Sequence, residues 1–161
     1  MINFLESLVA EWYQYGKEPP YFVRSNTRVR KRKKGGYDGE IDVLAYSPSE
    51  QHLIHIEASS DGDSWEKRKE RFLKKFILKK DEYESLIRSP VKSIEKIALV
   101  GWTERTRVDL NWGEGIKVQL ISDLVRTIAT RLKKISPLQE VVPECFPLLR
   151  AMQVALHFGG K

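Results

Sequence analysis

Leu5, Leu8, Val9, Trp12 and Tyr13 recur at the 3.6-residue period of a helix. That spacing predicts an amphipathic helix over residues 2–16, closed by Gly16 and the Pro19-Pro20 pair. The pattern then changes to β-formers. Residues 21–30, YFVRSNTRVR, predict a first strand running into the basic tract KRKKGG. Residues 40–46 and 52–58 alternate as second and third strands, joined by the loop SPSEQ with Pro48. Helical spacing returns after Asp63 and Glu66, which stand three apart like a capping box, and predicts a helix from Ser64 to about Lys80. DEYESLI is a shorter helical piece. IEKIALVGW and GIKVQLI read as two short strands on either side of the polar loop TERTRVDLNWGE. SDLVRTIATRLKK and LLRAMQVALHF close the chain as helices. A meander flanked by helices, then strands alternating with helices, predicts an α/β fold with a mixed central β-sheet. It predicts one domain over residues 1–161, with a core at about 2–102 and a C-terminal strand and helices at 116–158.

Composition narrows the class. The chain has 161 residues, 41% hydrophobic and 31% charged, as a globular domain with a real core requires. Net charge is +6 and the sequence pI is about 9.4, which favours a polyanionic partner. The single cysteine, Cys145, excludes an internal disulfide and a cysteine-rich zinc site. The apolar start carries Glu6 and Glu11 and lacks the form of a signal peptide, and no stretch approaches the ~20 apolar residues of a membrane span. The expectation is a cytoplasmic protein with no membrane partner.

The chemistry is concentrated in the second and third strands. Glu40, Asp42, Leu44 and Tyr46 share one face of the second; Leu53, His55, Glu57 and Ser59 share one face of the third. If the hairpin pairs Tyr46 with Leu53, Asp42 falls opposite Glu57 with Cβ atoms roughly 5 Å apart. Two carboxylates so placed repel unless a positive charge lies between them, and a divalent cation with oxygen ligands fits. A shifted register would instead leave both acids solvated.

GEIDVLA, a hairpin and HIEAS together resemble the core of the PD-(D/E)XK nuclease superfamily, the restriction-endonuclease-like fold. That family is built on a helix, a three-stranded meander, a helix and a further strand (α-β-β-β-α-β). The likeness covers roughly residues 2–102. It implies that Asp42 is the family aspartate, Glu57 the second acid and Ser59 the occupant of the lysine position, with Ile41 at the "P" position. It further implies Mg²⁺ (or Mn²⁺) held by Asp42, Glu57 and the Ala58 carbonyl, and hydrolysis of phosphodiester bonds in nucleic acid, DNA before RNA. If no other residue supplies the missing charge, the resemblance implies an impaired domain that binds nucleic acid without cutting it.

Some members of that family draw the lysine from a neighbouring element. Trp65, Phe72, Leu73, Phe76 and Ile77 form the apolar stripe of the next helix, and Lys69 falls inside it, whereas Lys67, Arg71, Lys74 and Lys75 fall on the other side. Lys69 is therefore the expected substitute, the alternative being that it snorkels to solvent. Glu40 and Glu6 are possible accessory acids, and Glu11 is expected at the surface. His55 shares the Glu57 face. Arg28, Arg30, Lys31, Arg32, Lys33 and Lys34, with Arg105 and Arg107 in the later loop, are the candidate phosphate contacts. Leu148, Leu149, Met152, Ala155 and Leu156 form a stripe on the last helix that serves either the core or a homodimer.

Overall fold

The computed structural model describes residues 3–60, 62–101, 109–113 and 115–159. Its elements follow in the expected order. Helix α1 (Phe4–Glu11) starts on Asn3, whose side chain accepts the Leu5 N–H at 3.1 Å, and continues as a π-helical turn, Trp12–Gly16. Three strands follow: β1 (Phe22–Lys31), β2 (Tyr37–Ser47) and β3 (His52–Ser59). Then come α2 (Trp65–Lys75), α3 (Lys80–Ile87), β4 (Ser93–Val100), β5 (Ile116–Leu120), α4 (Ile121–Leu132) and α5 (Pro147–Phe158). The sheet order is β1-β2-β3-β4-β5, antiparallel from β1 to β3 and parallel from β3 to β5. This is a mixed α/β architecture with helices on both faces.

Strand alternation divides the apolar residues between those faces. Val43, Ala45, Ile54, Ile56, Ile97 and Leu99 pack against α1, α4 and α5. On the other face Leu44 and Leu53 meet Leu78 and Tyr83, while Ala98 and Val100 meet Trp65, Phe72 and Phe76. The second face carries the candidate chemistry, under α2 and α3.

Two expectations are corrected by packing. Helix α2 stops at Lys75, not Lys80: Phe76 leaves helical geometry to enter the core, and Lys96 Nζ donates to its carbonyl at 2.6 Å. Glu11 is buried rather than solvated, because its carboxylate accepts the Leu148 and Leu149 N–H groups at 3.2 and 2.9 Å and so caps α5. The stripe of α5 serves the core, as one of its two readings had it: Leu149 is buried, Leu148, Met152 and Leu156 join the same core, and Ala155 is exposed. The stripe is therefore used within the chain. Among the described residues, no helix is long and apolar enough to cross a membrane.

Candidate active site

The β2–β3 register is the one that brings the acids together. Tyr46 pairs with Leu53, Leu44 with His55 and Val43 with Ile56, so the next step of the ladder sets Asp42 opposite Glu57. Backbone pairing ends at Val43, because the Asp42 side chain takes over: its Oδ2 accepts the Ala58 N–H at 2.9 Å. On the other side of Asp42, β1 pairs at Ser25 and Thr27 but not at Asn26, which has a left-handed φ of 51°. Asn tolerates that conformation better than most residues. With its amide turned to donate, Asn26 reaches Glu6 Oε2 at 3.3 Å and Glu40 Oε1 at 3.1 Å.

One ammonium binds both acids. Lys75 Nζ lies 2.8 Å from Asp42 Oδ1 and also donates to Glu57 Oε2. Lys69 does not take this place; it is half-buried on the other flank of α2 and bonds to neither carboxylate. The reason lies in which face α2 buries. Trp65, Arg68 and Phe72 define that face, and Lys69 and Lys75 lie about 120° apart around the helix, on opposite sides of it. One turn before Lys75, Arg71 Nη2 donates to Ser59 Oγ at 2.9 Å and Nη1 to Asp63 Oδ2 at 2.7 Å. The cations beside Ser59 and beside the two acids thus both come from α2: Arg71 at Ser59, and Lys75 at the acids. Asp42, Ala58, Ser59, Arg71 and Lys75 line a cavity of about 370 Å³ together with Glu6. Glu40 stands in the neighbouring cavity instead. Ala58 meets Asp42 through its N–H.

Behind Glu57 runs a buried relay. His55 Nε2 lies 2.7 Å from Glu57 Oε1, and His55 Nδ1 lies 2.6 Å from the Tyr83 hydroxyl. His55, Glu57 and Tyr83 are all 0% exposed. Burial, with the charges of Lys75 and Lys96, holds His55 down to about 3, so the ring is neutral. Burial and the Asp42 charge push Glu57 up to about 9, against the pull of Lys75. Burial works to lower the Lys75 ammonium, but Glu57 and Asp42 overcome it and hold it above its ordinary value. With Glu57 ionised, Nε2–H donates to the carboxylate and the phenol donates to Nδ1; with Glu57 protonated, both directions reverse. Tyr83→Phe leaves His55 Nδ1 buried and unpaired. It is expected to lower the unfolding free energy by ~1–2 kcal/mol, read from urea denaturation.

Asp42 and Glu57 are the residues that could hold a divalent cation. Asp42 Oδ1 and Glu57 Oε2 converge on a single point, where the ammonium of Lys75 sits. Mg²⁺ is commonly held by one or two carboxylates and keeps its remaining ligands as water. The site offers two acids: no group of three or more His, Cys, Asp or Glu converges among the described residues. Glu6 approaches from α1, its carboxyl raised by burial and by the charge of Asp42.

The basic tract sits close by. β2 continues from Asp42 to Tyr37 paired with β1 alone, a two-stranded ribbon running roughly 17 Å past the acids. Arg28, Arg30, Lys31, Arg32, Lys33 and Lys34 on it are all exposed. Arg30 forms a bidentate pair with Glu82 at 2.8 and 3.2 Å, Arg32 pairs with Asp38, and Arg28 lies over the Tyr37 ring. Arg105 and Arg107 lie outside the described residues. Trp112 is buried against Trp65 and Phe72, packing its loop down.

His55 was legible as a neighbour of Glu57 from strand alternation. Its partner Tyr83, on α3, carries no sequence signal. Arg71 and Lys75 are spaced i, i+4, one face of a helix, but which face is buried decides their role. Comparison with protein-family models, with curated proteins and with solved structures finds no match for the chain.

Proposed function

We propose that the chain is a metal-dependent nuclease of the restriction-endonuclease-like kind, hydrolysing phosphodiester bonds of nucleic acid, DNA in preference to RNA. The observation that carries this is the convergence of Asp42 and Glu57 on one cationic centre, with Lys75 from α2 filling it and Arg71 beside Ser59. Asp42 and Glu57 would hold Mg²⁺ or Mn²⁺. When bound, that ion polarises the phosphate and lowers the pKa of a coordinated water. The chain's own residues do the rest. His55 and the Ala58 N–H each take one carboxylate oxygen and aim the other at the shared centre. Lys75 and Arg71 neutralise the phosphate and hold the attacking water in line. The ribbon from Arg28 to Lys34 binds flanking phosphates without reading sequence.

One observation favours a second reading. Each of the four carboxylate oxygens already has a partner, in Ala58, His55 or Lys75. A chain whose own ammonium permanently replaces the metal would bind nucleic acid without cutting it. Incubation of plasmid, single-stranded DNA and RNA with Mg²⁺ or Mn²⁺, against EDTA and against Asp42→Asn, separates the two. Metal-dependent cleavage lost in Asp42→Asn is the expected result. Salt-sensitive binding without cleavage in either metal would leave the second.

A further inference from the structure

A second cavity, of about 300 Å³, opens beside the first and shares Arg71 and Lys75 with it. Part of its wall is apolar. Val29 and Ile41 come from the β1–β2 ribbon, Leu78 from the segment between α2 and α3, and Ile77 stands at the rim, 57% exposed. Gly39, paired with Val29 across the ribbon, contributes no side chain; a Cβ there would lie 3.3 Å from Val29 Cγ2, so glycine is what leaves this wall uncovered. Arg30, Arg71, Lys74 and Lys75 outnumber the two acids that also line it, Asp38 and Glu40, and leave the lip net cationic. Ile77 is the exposed apolar surface of the cavity, over a floor of buried Val29, Ile41 and Leu78, and the lip selects what can cover it.

Resting on the nuclease reading above, we propose that this cavity is a nucleobase subsite: it takes one unpaired base adjoining the phosphate held by Arg71 and Lys75. A nucleotide offers the two parts the paired cavities ask for, an anion at the shared cations and a flat, largely apolar ring one step away. A base can enter only when it is out of the stack. Extrusion from a duplex costs a few kcal/mol, and costs least where the base is already unpaired. The preferred substrate is therefore single-stranded, or duplex with an unpaired nucleotide at the cut.

The probe is deoxyadenosine 5′-monophosphate, followed by methyl NMR of the full chain in EDTA, with inorganic phosphate as control. The mononucleotide is expected to shift the Val29, Ile41, Ile77 and Leu78 methyl signals, and phosphate to leave them in place. In cleavage assays, Gly39→Leu places a side chain in the cavity and removes none of the charged groups. It is expected to lower cleavage of single-stranded DNA about tenfold relative to wild type, the worth of one held base. Metal-dependent cleavage with equal rates on fully paired and unpaired substrates, and no methyl shifts, would overturn the subsite and leave the nuclease standing. Absence of cleavage on every substrate would remove the nuclease reading; methyl shifts without cleavage would keep the subsite as part of a binding domain.

Discussion

Lys75→Met is expected to lower metal-dependent cleavage by at least about a hundredfold, while Lys69→Met leaves it unchanged, both measured as initial rates on one substrate. The contrast follows from the two flanks of α2. Lys75 touches both acids, and Lys69 touches neither. Methionine keeps the unbranched stem of lysine, so the half-buried packing survives and the ammonium alone is lost. A second consequence separates chemistry from folding. Removing the ammonium leaves two carboxylates facing each other with nothing positive between them, which is unfavourable for both. Mg²⁺ or Mn²⁺ no longer has to displace a resident cation. The metal-induced rise in Tm is therefore expected to be larger in Lys75→Met than in wild type. A variant that loses cleavage but gains metal stabilisation has kept its site and lost a functional group. A variant that loses both has lost the site.

The hairpin register was readable because both strands alternate cleanly and the SPSEQ loop fixes their offset, so the facing of Asp42 and Glu57 needed no coordinates. The face of α2 was not readable, and the cause is Arg68. A charged residue is ordinarily assigned to solvent, yet Arg68 is only 2% exposed, donating to the Gly101 carbonyl at 2.5 Å and the Asp63 carbonyl at 3.2 Å. Counting Arg68 as polar, and the exposed Ile77 as core, rotates the inferred stripe toward Lys69 and away from Lys75. The start of α2 at Ser64 was readable, and the Asp63 carboxylate beside it accepts from Arg71. Glu11 failed for a second reason: the N–H groups it satisfies belong to α5, at the far end of the chain. Arg68 and Glu11 are both buried charges with a partner distant in sequence, and hydropathy patterning has no access to such partners.

Glu57→Gln is expected to flatten the decline in stability that wild-type protein shows, in EDTA, as pH rises from about 6.5 to 9. Burial and the Asp42 charge push folded Glu57 from an ordinary 4.5 up to about 9. Between those values the folded state holds a proton that the unfolded state has released, so stability falls as pH rises; it is fully present below about 4.5 and lost above about 9. His55 works in the opposite sense. Its folded value of about 3 lies below the ordinary 6.5, so between them the unfolded state binds the extra proton and stability rises with pH. The two oppose each other up to about 6.5, and above it Glu57 acts without His55, with a slope of at most about 1.4 kcal/mol per pH unit. Tm measured calorimetrically at intervals across this range reads the slope directly. Mg²⁺ requires the ionised carboxylate, so its binding should tighten over the same interval and lessen the decline. A decline that persists undiminished in Glu57→Gln would assign the proton to another group, and with it the protonation state on which cation exchange at this pair depends.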